Sequence, residues 1–316
     1  MIANRFGIVD IHGVDPNPSW LELYETANPG DTSITLNTQS AIDWKVGDSI
    51  VIAPTAFDFT QTDTCKITTK TNTAQGRPVL GLDCALKFEH YAGSKMYGSD
   101  SLEMRAEVGL LSRNVVIQGD AGSESAEYGA HIMIHSPGDE SSIGRIENAE
   151  FRNVGQAFKL GRYPLHFHMI GFTRKSYIRR NAIHHTYNRA VTIHGVHCLH
   201  IEDNVAFHTK GHTYFIEDAA ETRNKLIHNL AIRSDASNSL LNTDSTPSSF
   251  WITHPNNDFI NNHAAGAKRY GFWFDLQEHS IGPSASKNIC PIGERLGIFD
   301  GNVAHSNGRY GLRIFH

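Results

Sequence analysis

Asn204-Val205-Ala206-Phe207-His208-Thr209-Lys210-Gly211-His212-Thr213-Tyr214-Phe215-Ile216 is the stretch that decides the fold. It runs from an asparagine, through a turn-like residue seven places on, to an apolar triplet at places ten to twelve. The same pattern starts at Asn148, Asn181, Asn229, Asn262 and Asn302. The matching triplets are Phe158-Lys159-Leu160, Val191-Thr192-Ile193, Ser239-Leu240-Leu241, Phe272-Trp273-Phe274 and Leu312-Arg313-Ile314. Three residues before the asparagine stand Ile178, Ile201, Leu226, Phe259 and Phe299 in all repeats but the first.

Successive asparagines are 33, 23, 25, 33 and 40 residues apart, so the shortest spacings define a coil and the longer ones carry insertions. A coil of this size with two or three short strands cannot bury its apolar face alone, whereas stacked copies share a continuous core. The expected fold is therefore all-β, a right-handed parallel β-helix over residues 113–316. The asparagines are expected to stack at one corner, with amides bonding along the column and to turn backbone.

Residues 1–112 read differently, as short strands and turns such as Ser33-Ile34-Thr35-Leu36 and Ser49-Ile50-Val51-Ile52-Ala53. Cys65 and Cys84 flank two strand-like runs around the turn Ala74-Gln75-Gly76-Arg77, which sets them opposite each other in a hairpin and predicts a disulfide. The alternative is two free thiols. Cys198 and Cys290 have no evident mates, and no C-x-x-C spacing suggests a zinc knuckle.

The chain has 316 residues with a formal net charge of −5, which argues against a nucleic-acid partner. No run approaches the roughly 18 apolar residues of a membrane-spanning helix. Membrane attachment is expected only from regions outside this chain. The last repeat stops two residues past its triplet, so a piece of a longer protein is expected.

Alternation along a strand points the eleventh and thirteenth places outward. Those columns carry Lys159, Thr192, Phe215, Leu240, Trp273 and Arg313, and Gly161, His194, Glu217, Asn242, Asp275 and Phe315. Aromatic faces beside carboxylates suit a sugar groove, with Phe215, Trp273 and Asn242 as contacts. Glu217 and Asp275, two coils apart, would be roughly 9.6 Å from each other by the strand spacing. That is the upper edge of the roughly 6.5–9.5 Å separation of inverting glycosidases. With His194 they form a candidate catalytic set.

Nineteen histidines are present, and many cluster between His166 and His212. His166 and His168 form an H-x-H pair that, with a third histidine or a carboxylate from the next coil, could hold zinc or another divalent ion. Acid–base work or ordinary structural hydrogen bonding are the other readings. Asp218 and Asp244 could supply oxygen ligands for calcium. Arg162 and Arg189, with the run Arg174 to Arg180, could pair with an acidic polysaccharide or simply form solvated turns.

Several long motifs carry a family resemblance. They include Asp31-Thr32-Ser33-Ile34-Thr35-Leu36, Trp44-Lys45-Val46-Gly47-Asp48, Ala106-Glu107-Val108-Gly109-Leu110-Leu111, Asn188-Arg189-Ala190-Val191-Thr192-Ile193-His194, Phe215-Ile216-Glu217-Asp218 and Phe250-Trp251-Ile252-Thr253. Together they resemble the G8-plus-β-helix block of fibrocystin-L-like proteins and, more distantly, of the cell-migration-inducing and transmembrane cell-surface hyaluronidases. The resemblance implies that residues 1–112 are the C-terminal part of a G8-like domain and that the protein is extracellular or at the cell surface. It implies a glycan such as hyaluronan, or a surface protein, as partner. Residues 240–251 lack the longer cysteine-containing insertion of the hyaluronidases, which favours a recognition module over hyaluronan cleavage.

Overall fold

The computed structural model describes residues 1–239 and 242–314, and of Asn242 the backbone only. Three parallel sheets wind into a β-helix. The front sheet stacks Ile2–Arg5, Ile132–His135, Leu165–Phe172, Val191–His197, Tyr214–Ile216, Ser248–Ile252, Tyr270–Phe274 and Tyr310–Ile314. The side sheet holds the strands just before each corner asparagine, from Gly7–His12 to Phe299–Asp300. The back sheet holds those just after it, from Val115–Gln118 to Val303–Asn307. Ile2–Arg5 and Gly7–His12, assigned by the sequence reading to the leading domain, instead pair in parallel with Ile132–His135 and Ser142–Glu147. Val9 and Ile11 pack against the same core as the later coils.

Asparagine turns each corner. Asn181, Asn204, Asn229 and Asn262 each donate from Nδ2 to the Oδ1 of the asparagine one coil further, at 2.9–3.1 Å. Nδ2 of Asn204, Asn229 and Asn262 also bonds a backbone carbonyl three residues before the asparagine of the preceding coil, as Asn204 does to Ile178 O at 2.9 Å, and Asn181 Nδ2 bonds Ile146 O, two residues before Asn148. The Oδ1 accepts a backbone N–H as well, so that Asn204 Oδ1 takes Asn181 N at 3.0 Å. The residue before the corner sits in the left-handed region in Arg180, Asp203, His228, Asn261 and Gly301. A second, shorter ladder, unread in the sequence, joins Asn224 to Asn257 at 3.0 Å where the chain re-enters the side sheet.

Inside, the sheets compensate in volume. Tyr214, Phe250 and Phe272 stack along the front sheet with ring centroids 4.9 and 4.6 Å apart, and Phe259 meets Phe250 from the side sheet. Ala206, Ala231 and Ala264 line the back sheet at the same levels and leave room for these rings.

Two repeats differ from the sequence register. Phe158 and Leu160 are 72% and 66% exposed, in a loop, and the strand of that coil is Leu165–Phe172. After Asn229 the strand is Ser248–Ile252, so Phe250-Trp251-Ile252 is the true triplet; Leu240, Leu241 and Phe315 lie outside the described residues. A fixed offset from the asparagine cannot follow a loop inserted between the back and front strands.

A six-stranded antiparallel sheet, ordered Trp20–Glu22, Glu107–Leu110, Ser49–Ile52, Asp63–Asn72, Pro78–Leu82 and Ser33–Thr35, packs on the outer face of the back sheet. A disulfide joins Cys65 and Cys84, Cα atoms 5.8 Å apart, while Cys198 and Cys290 are free. Trp20, Val51, Ala53 and Leu111 cover Val205, Phe207, Leu230, Ile232 and Ala265. Gly109 permits this approach, since a Cβ there would meet Val205 Cγ1 at 2.7 Å. At the rim, buried Glu107 bonds His263 Nδ1 at 2.5 Å and His305 Nε2 at 3.0 Å.

Two outcomes follow. Asn204→Ala removes two donated and two accepted bonds in a buried column and should cost about 2–4 kcal/mol in chemical denaturation, since each stranded buried group costs about 1–3. Phe158→Ala should cost under about 0.5. Burial pulls His305 down, but Glu107 outweighs this and raises it above its ordinary 6.5. A raised histidine contributes stability that is complete below pH 6.5 and lost as pH rises through the raised value. The stability gap between the protein and its His305→Gln variant should therefore be widest below pH 6.5 and narrow on titration upward.

Candidate functional site

The front sheet has one outward column of Met133, His166, Thr192, Phe215, Trp251 and Trp273 in register. The adjacent column brings His135, His168 and His194 together, continues through Glu217 and Thr253, and reaches Asp275. Three insertions, at 155–164, at 236–247 as described by residues 236–239 and 242–247, and at 276–298, fold back over these columns. A cavity of about 760 Å³ remains between them, lined by His166, His168, His194, Glu217, Asp275 and Trp251, among others.

His194 is its centre. Its Nε2 lies 2.8 Å from Asp218 Oδ2, and its Nδ1 lies 3.1 Å from His168 Nδ1 and 3.3 Å from Glu217 Oε2. Burial lowers its basicity, but the Asp218 hydrogen bond and the charges of Glu217, Asp218 and Glu221 more than restore it, and the net shift is upward. His168 moves the other way, to about 4, through burial and the charge of His194. Burial likewise holds His166 well below its ordinary value. Its Nδ1 bonds Gly161 O at 3.1 Å, and its Nε2 is buried without a partner. Burial raises the Glu217 carboxyl above its ordinary value, only partly opposed by the charges of His194 and Arg189. Glu217 Oε2 also makes no hydrogen bond.

The carboxylate floor is structural. Glu221 Oε1 accepts the N–H groups of Gly195 and Asp218 at 2.8 and 3.0 Å, and burial raises its pKa to about 7. Asp218 accepts from Ser284 N at 3.1 Å as well as from His194, and its carbonyl takes Ile281 N at 2.8 Å. These bonds clip the 276–298 insertion to the sheet. Asp244, carried inward by the 236–247 insertion, pairs with fully buried Arg189 at 2.8 Å and accepts His212 N at 3.2 Å. Neither Asp218 nor Asp244 is thus arranged as a calcium ligand.

Other sequence-picked residues change role. The Arg189 guanidinium lies 3.6 Å from the Phe215 ring centroid and pairs with Asp244, so it cannot reach an acidic polysaccharide. Phe215 and Trp273 are 2% and 6% exposed, and Trp273 sits beneath Arg313 at 4.1 Å rather than forming an open platform. Arg162 points to His131, 2.8 Å away. Arg179 and Arg180 pair with Glu202, Asp15 and Glu147 on the side sheet, away from the cavity. Asn242 belongs to a short 3-10 turn in the insertion rather than to the outward column, and its side chain lies outside the description. Trp251 was missed. It lines the cavity, its Nε1 has no partner, and its likeness to Phe272-Trp273-Phe274 was the available signal.

The Arg189–Asp244 pair gives a direct test of a structural role. Arg189→Met leaves a buried carboxylate uncompensated and should cost about 3–5 kcal/mol in urea denaturation. The Arg189→Met/Asp244→Leu double variant should recover most of that loss.

Comparison with known proteins adds the lineage. The family model described as CEMIP beta-helix matches residues 127–312. Human fibrocystin-L is 40% identical over 99% of this chain, which spans 8% of that protein. Human cell migration-inducing and hyaluronan-binding protein is 32% identical over 93% of this chain and 24% of its own length. For human cell surface hyaluronidase CEMIP2 the values are 33%, 86% and 22%. Among solved structures, the tailspike of Acinetobacter baumannii phage AP22, in complex with a capsular saccharide, is 10% identical with a TM-score of 0.25, covering 86% of this chain and 47% of its own.

Proposed function

This chain belongs to the CEMIP beta-helix family, and from that premise we propose that it is the glycan-recognition segment of an extracellular or cell-surface protein, with the front cavity as its binding site. The observation that carries the reading is the cavity itself. Its volume of about 760 Å³ fits the range of small-ligand sites, roughly 300–1,000 Å³. The 5% of Trp251 that remains exposed gives the cavity an apolar edge for a pyranose ring. The unpartnered Trp251 Nε1–H offers a donor, and Glu217 Oε2, 3.3 Å from His194 Nδ1 and without a hydrogen bond, offers an acceptor for hydroxyl groups. Relatives named for hyaluronan binding and hyaluronidase activity make hyaluronan the first polymer to test.

A second reading, hydrolysis, rests on Glu217. A buried carboxyl with raised pKa is what a general acid needs, and Asp275 two coils away is its counterpart in this reading. In the recognition reading, sized hyaluronan is retained by the protein at unchanged chain length. Trp251→Ala should then weaken retention about tenfold, near 1.4 kcal/mol. Chain shortening that disappears in Glu217→Gln would establish the hydrolase instead. Absence of both retention and shortening across a panel of acidic and neutral glycans would sink the glycan reading altogether.

A further inference from the structure

We propose that His166, His168 and His194 bind a divalent d-block cation of the zinc class, leaving one coordination position open to the front cavity. One ligand nitrogen from each lies within 4.8 Å of the others. The tightest pair, His168 Nδ1 and His194 Nδ1, is 3.1 Å apart. Two nitrogens on a tetrahedral ion with bonds of about 2.0–2.1 Å would stand roughly 3.3 Å apart. The pair therefore needs almost no movement to share an ion.

Proton placement supports the same assignment. With His194 Nε2 donating to Asp218, its neutral ring presents the Nδ1 lone pair toward His168. His166 Nδ1 donates to Gly161 O and so turns a lone pair out at Nε2, which is buried with no partner. Two of the three rings thus have their far nitrogen held by an acceptor, the arrangement that fixes tautomer and orientation in histidine metal sites. Three imidazoles on one face with Glu217 beside them, Oε2 at 3.3 Å from His194 Nδ1, make an open nitrogen-rich site.

The donor set selects the ion. Calcium takes six to eight oxygens, whereas imidazole suits zinc, copper and nickel. Asp218 and Asp244, the carboxylates that would have favoured calcium, are engaged with His194 and Arg189. Resting on the glycan reading, the ion would also offset the negative charge of Glu217, Asp218 and Asp275 around the cavity and accept a saccharide carboxylate or hydroxyl pair. The binding of the ion itself does not depend on that reading.

The experiment strips the full chain with a chelator and titrates it with zinc by calorimetry, with metal content measured after dialysis. One equivalent should bind and raise the thermal midpoint. The His168→Gln/His194→Gln variant should lose it, while Asp218→Asn should weaken it about 10–100-fold. His185, on back-sheet strand Ala182–Thr186 with its ring against His184 and His208, lies outside this set, and His185→Ala should bind zinc as before. No stoichiometric zinc, or equal uptake by a His168→Gln/His194→Gln protein that retains its cooperative unfolding transition, overturns the assignment. Glycan retention is measured on the same samples: zinc uptake without retention removes the glycan reading and keeps the metal site, and retention without zinc does the reverse.

Discussion

The buried corner is the constraint on which the rest of the molecule depends. Each coil of a parallel helix must turn sharply while its backbone donors and acceptors stay out of water, and an unsatisfied buried group costs about 1–3 kcal/mol. The asparagine amide meets this by joining two coils with one side chain, accepting a backbone N–H from the preceding coil and donating to a carbonyl there, as Asn204 does with Asn181 and Ile178. Because each amide also bonds the next amide, neighbouring corners cannot slip by one residue. Slippage would turn every inward side chain outward.

That lock is what makes a site possible on a fold built from repeats. Identical register from coil to coil puts His168 beside His194, and the column continues to Glu217, from segments far apart in sequence. The ladder corner has no insertions between side and back strands among the coils from Asn181 to Asn302, whereas the loops all depart around the front sheet. Variation in loop length is tolerated where the ladder does not run. The front face accordingly acquires walls while the back face, held against Trp20 and Val51, stays flat and covered.

The repeat was legible because its marker is a residue whose chemistry the corner demands. Inward positions such as Ile178, Ile201 and Leu226 followed from it directly, as did the placement of His194, Glu217 and Asp275 on one outward face. The two coils whose loops precede the front strand were misread, because spacing carries no information about where an insertion begins. Phe158-Lys159-Leu160 satisfied the pattern by composition alone and lies in an exposed loop. The H-x-H pair was visible, but that its partner is His194 rather than Asp218 or Asp244 depends on the true strand being Leu165–Phe172, one insertion further along. Membership of the first coil by Ile2–His12 was equally hidden, since roughly a hundred residues of another sheet intervene before its partners.

Polar satisfaction separates framework from chemistry on the front face. Arg189, Asp244, Asp218 and Glu221 are ionisable and buried, yet each meets fixed partners, and their pairing holds two insertions in place. Arg189 looked like a ligand residue from sequence because charge is normally exposed; burial against Phe215 converts it into a strut. His166 Nε2, Glu217 Oε2 and Trp251 Nε1 belong to side chains that line the cavity and have no hydrogen-bond partner within the protein. Buried polar atoms are normally paired, so these atoms, with Thr243 Oγ1 on the same cavity, indicate where the protein's own bonding is incomplete. An imidazole lone pair, a carboxyl oxygen and an indole N–H converge there, and an external ligand that satisfies them offers a cation or donor to the first, a donor to the second and an acceptor to the third.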